Sequence, residues 1–98
     1  MKIKINKETI ELKNTLRSIL VFEQITNKPF SLNGMTDIMI YFYSVIIASE
    51  PNVELTFDEF MSYLDENQEV FQEFNEWLIK VNSKNDTIST VKKKKVNK

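Results

Sequence analysis

Cysteine and histidine are both missing from the 98-residue chain. Their absence removes disulfides, thiol nucleophiles, Cys/His zinc sites and imidazole acid–base chemistry. One glycine and two prolines argue against a loop-rich or many-turned β fold. Long hydrophobic runs are also lacking. The longest, from Ile38 to Ala48, is 11 residues and contains Ser44; a membrane-spanning helix needs about 20. It reads as a buried element of a soluble protein. Met1 to Asn14 is polar and charged, unlike a signal peptide. No basic residue lies between Lys28 and Lys80, an interval holding 10 acidic ones. That stretch has nothing with which to grip a phosphate backbone.

What the chain does contain is core material. Apolar residues make up 42% and aromatics 11%, with seven Phe, three Tyr and one Trp. This is enough for one domain that buries roughly two-thirds of its unfolded surface. Charge divides the chain in two. Residues 1–83 carry 7 Lys/Arg against 13 Asp/Glu, a net −6, while residues 84–98 carry 6 Lys against one Asp, a net +5. We expect a single acidic helical domain over 1–83 and a disordered lysine-rich tail over 84–98.

Local patterning predicts the elements. Lys2-Ile3-Lys4-Ile5 and Thr9-Ile10-Glu11-Leu12 alternate with period two, so a β-hairpin is expected over about 2–13, its turn at Asn6-Lys7-Glu8. A helix over about 15–27 should present Leu16, Ile19, Leu20, Phe22 and Ile25 as an apolar stripe and stop at Lys28-Pro29. Thr36 is the expected N-cap of a second helix, nearly all apolar from Ile38 to Ile47. Thr56-Phe57-Asp58-Glu59 has the form of a capping box, with Leu55 and Phe60 as a hydrophobic staple. A last helix over about 68–82 has Val70, Phe71, Phe74, Trp77, Leu78 and Val81 on one face and Glu69, Glu73 and Glu76 on the other. The fold class is therefore α+β, mainly α: an N-terminal hairpin packed on a bundle of about four helices.

Candidate chemistry is sparse. Asp58/Glu59 and Asp65/Glu66 could be read as acid–base pairs, but adjacent helical residues point apart rather than at each other. Asp65, Asn67, Glu69 and Glu76 fall at calcium-loop positions, yet the sixth position, which needs glycine, is Val70. Tyr41-Phe42-Tyr43 and Trp77 could stack on nucleic acid bases, but no Lys/Arg accompanies them. Phe42 and Trp77 are expected in the core, with the tyrosine hydroxyls at the surface. There is no phosphate loop or nucleophile elbow, so neither catalysis nor a cofactor is expected.

Three segments, read in order, resemble the tail assembly chaperones of long-tailed bacteriophages of the siphophage type. They are TLRSILVFEQITNKPF (residues 15–30), TDIMIYFYSVI (36–46) and LTFDEFMSYLDEN (55–67). The resemblance implies a binding protein acting in the host cytoplasm during tail assembly and absent from the mature virion. Its implied partners are the tape measure protein, whose long helices it keeps soluble, and the major tail tube protein, which it helps recruit. It also implies that many members exist in a short form and a longer form made by a −1 frameshift. Lys92–Lys95 would be encoded by an A-rich run on which a ribosome can slip, and this chain would be the short form.

A helical partner could lie in a groove, read through anchors at i, i+3, i+4 and i+7. Candidate partner-binding residues are Phe30, Met35, Tyr41 and Tyr43 for the groove, and Asp58, Glu59, Asp65 and Glu66 for an acidic face that steers basic partners. A homo-oligomer is left open; no membrane and no specific nucleic acid are expected as partners. The alternative is a small phage regulatory or anti-host protein that binds a host factor through the acidic face. A third reading gives RNA binding to the lysine tail.

Overall fold

The structure, a computed structural model, describes the backbone of residues 1–94 and the side chains of residues 1–81. The order is β1 (Lys2–Ile5), β2 (Glu8–Glu11), α1 (Leu16–Thr26), α2 (Met35–Ser49), α3 (Phe57–Glu66) and α4 (Gln68–Lys94). This is the α+β, mainly α fold that the sequence predicts. The helix expected over about 68–82 is α4, and no glycine or proline interrupts it before Lys94. The tail expected to be disordered, 84–98, lies outside the residues with described side chains.

β1 and β2 pair antiparallel with Ile3 opposite Ile10 and Ile5 opposite Glu8. The turn is therefore two residues, Asn6 and Lys7, rather than three. Both have positive φ, 52° and 66°, the type I′ geometry whose twist matches paired strands. Ile3, Ile5, Ile10 and Leu12 are all buried, so one face of the hairpin seals against the helices.

Three helix starts show three solutions to unpaired backbone donors. Thr15 caps α1 through its side chain, accepting from the Ser18 amide at 3.3 Å. Thr56 and Glu59 form the expected capping box on α3: the Glu59 amide donates to Thr56 Oγ1 at 3.1 Å and the Thr56 amide to Glu59 Oε1 at 2.9 Å. At α2 the expected Thr36 cap is not used. The helix starts two residues before Asp37, after Gly34 at φ 96°. Asp37 reaches back instead, accepting from the Asn33 amide at 2.9 Å and from Lys28 Nζ at 3.2 Å. These contacts, the Asn33 amide foremost, hold its carboxyl below the usual value of 3.8.

The core is aromatic. Phe42 of α2 stacks flat on Phe74 of α4, with centroids 4.0 Å apart, and meets Phe60 of α3 edge-on at 5.1 Å. Phe22, Phe42, Phe60 and Phe74 are fully buried. α1 differs from expectation. It buries Ser18 and Phe22, one turn apart, and leaves Leu16, Leu20 and Ile25 exposed. Ser18 can be buried because it is small and satisfied: its Oγ donates to the Lys13 carbonyl at 3.3 Å. α1 packs on α2 along that face, which turns Leu16 and Leu20 away.

Candidate partner-binding groove

α2, α3 and α4 meet closely at Phe42, Phe60 and Phe74, and beside that ring cluster they line a gap. The gap is an open groove of about 670 Å³. Its apolar wall is Met35 and Met39 from α2, Leu64 from α3 and Phe71 from α4. Helical spacing sets this wall: Met35 and Met39 are one turn apart, and Phe71 lies one turn before Phe74. Met35, in the first turn of α2, is 63% exposed, so its thioether projects over the groove with few neighbours of its own.

A row of uncharged amides flanks Phe71 on the α4 side. Gln68, Gln72 and Asn75 stand at i, i+4 and i+7 along α4, so they share one face. Asp65, at the end of α3, is the one charged residue lining the groove. A second, smaller cleft of about 340 Å³ separates α3 from the hairpin. There Asp58, Glu59, Ser62, Tyr63 and Glu66 of α3 face Lys4 and Asn6.

The eight residues proposed from sequence are therefore dispersed. Met35 and Asp65 come together in the groove. Asp58, Glu59 and Glu66 share the second cleft, where Glu59 is also engaged in the α3 cap. Phe30 is half-buried, 5.2 Å from Phe22 and 5.1 Å from Tyr41 between ring centroids. Tyr41 is a correction, since it is buried and lines no surface. Its hydroxyl donates to Asn14 Oδ1, and burial pushes it up to about 12. Tyr43 is half-buried against Phe57 at 5.3 Å, its hydroxyl donating to the Leu55 carbonyl at 2.6 Å. Both hydroxyls, expected at the surface, are consumed inside because a buried O–H needs a partner.

Sequence reasoning missed the amide row. One signal was present: Gln68, Gln72 and Asn75 are neutral at helical spacing in a segment whose other polar residues are Glu69, Glu73 and Glu76. Leu64 is buried core, as its apolar helical spacing implies, and Met39 and Phe71 are half-buried against that core while also lining the groove. Among the described residues, no three carboxylates are placed to hold a metal ion, and no helix is long and apolar enough to cross a membrane. No protein-family model, curated protein or solved structure matches this chain.

Proposed function

We propose that this chain is a tail assembly chaperone of a long-tailed bacteriophage, without catalysis, whose α2–α3–α4 groove holds amphipathic helical segments of the tape measure protein. The observation that carries the reading is the make-up of the groove: apolar residues from three helices, a row of amides, one carboxylate and no cation.

Recognition modes divide by what the partner surface must supply. Strand addition needs an open strand edge, and every wall of this groove is helical. Polyproline recognition needs an aromatic-lined trough, and Phe71 is the single aromatic here. Phosphate recognition needs Arg or Lys, and residues 29–79 contain none. An amphipathic helix fits what is left. Its apolar stripe covers Met35, Met39 and Phe71 above the buried Leu64, its polar flank meets the amides beside Phe71, and a basic residue answers Asp65. Covering that stripe hides the surface through which exposed helices aggregate. The acidic faces of α3 and α4 repel other copies and draw basic partners, and the major tail tube protein joins the complex so formed.

Co-expression tests this. The tape measure protein should move from the insoluble to the soluble fraction when this chain is present. Met35→Lys, which sets a cation beside the groove, should abolish the shift. Equal insolubility with and without the chain would sink the reading.

A further inference from the structure

We infer that the groove reads the spacing of a partner helix's apolar anchors and is nearly indifferent to which apolar residues they are. The inference rests on the helix-binding reading above and adds its specificity.

Discrimination between side chains that differ by a methylene requires stiff walls; a well-packed apolar pocket separates such residues by roughly 10–200-fold. This groove is not so built. Two of the chain's four methionines, Met35 and Met39, stand one turn apart on its α2 wall. Methionine has three rotatable side-chain bonds and a polarizable sulfur, so it refits to leucine, isoleucine, phenylalanine or methionine at little cost. No other side chain holds Met35 in one rotamer strongly, since it is 63% exposed. Gln68, Gln72 and Asn75, which line the same groove, are each both donor and acceptor, so they too accept a range of polar flanks.

Spacing is a different matter. The backbones that carry these walls are fixed from within the core, α2 to α4 by the Phe42–Phe74 stack at 4.0 Å. Anchors one turn apart, as on a helix, can meet Met35 and Met39 together; anchors at period two cannot. The groove therefore suits a long helical partner whose successive segments share a stripe but not a sequence.

The test uses the full chain and a set of basic, amphipathic synthetic helices with identical flanks. Their anchors at i, i+4 and i+7 are all Leu, all Ile, all Met or all Phe, and one control carries the Leu set at period two. Binding is read by fluorescence anisotropy. Affinities of the four helical sets should agree within about threefold, with the period-two control at least about tenfold weaker. Met35→Ile with Met39→Ile, which stiffens χ1 at both positions, should widen the spread beyond about tenfold. Met35→Ile alone, at an exposed position, serves if the double variant does not fold. A spread of about tenfold or more in the unaltered chain, or an unchanged spread in the variants, overturns this inference and leaves helix binding standing. No binding by any helix overturns both.

Discussion

The middle of α2 and its first turns are built to opposite specifications by the same three helices. Around Phe42 the space between α2, α3 and α4 is closed by rings that meet at 4.0 to 5.1 Å, all fully buried. Around Met35 and Met39, one to two turns away, the same helices leave about 670 Å³ open. Aromatic rings lock interhelical distance and angle because they are large and rigid. Methionines fill space without specifying it. The difference teaches that the fold is determined in the ring cluster, which frees the groove beside it to adapt.

Breaking the ring cluster should have the largest effect. Phe74→Ala removes both the stack on Phe42 and the contact with Trp77 and should destabilise the chain by about 3–5 kcal/mol, measured by chemical denaturation. A loss under about 1 kcal/mol would mean that the rings do not set the core. Next comes the wall shared by both clefts. Thr56→Ala opens the α3 capping box and should cost about 1 kcal/mol, seen as a lower melting temperature with an unchanged aromatic signal.

Asp37 sharpens the comparison at the groove, because it holds the start of α2 where Met35 sits. Its carboxyl is depressed below 3.8 by the Asn33 amide and Lys28. The linked stability is fully present above the unfolded value and is lost as pH falls below 3.8 through the folded one. An acid titration of stability should show that loss, and Asp37→Asn should flatten it while lowering stability at neutral pH. The smallest effect on stability belongs to the groove. Met35→Lys should shift it by no more than about 0.5 kcal/mol, since the side chain is already exposed. If it proves as costly as Phe74→Ala, the groove is core and the contrast disappears.

Most of the architecture was legible from sequence where one local rule acted alone. Alternation marked the hairpin, and Thr56 with Glu59 marked the start of α3 to the residue. It failed where tertiary packing chose between local options. Leu16 and Leu20 look like core, yet α1 turns on Ser18, a small residue whose burial depends on a hydrogen bond no periodicity reveals. Thr36 looks like the better cap, yet Asp37 reaches back to Asn33 and draws in Lys28. The groove was the least legible part. Met35 and Asp65 were named, but Tyr41 was given to the surface because its hydroxyl partner, Asn14, lies 27 positions away in the chain. The apolar wall gathers three helices, and nothing in any single helix distinguishes Met39 or Phe71 from ordinary core.

Trp77 is the sole indole in the chain, and it sits on α4 with its ring 5.7 Å from that of Phe74, half-buried at the margin of the aromatic core. Its emission colour follows the wetness of that margin, and its intensity follows the closeness of its neighbours. Melting of the ring stack will redden it. The molecule thus carries its own optical gauge of the locked aromatic core.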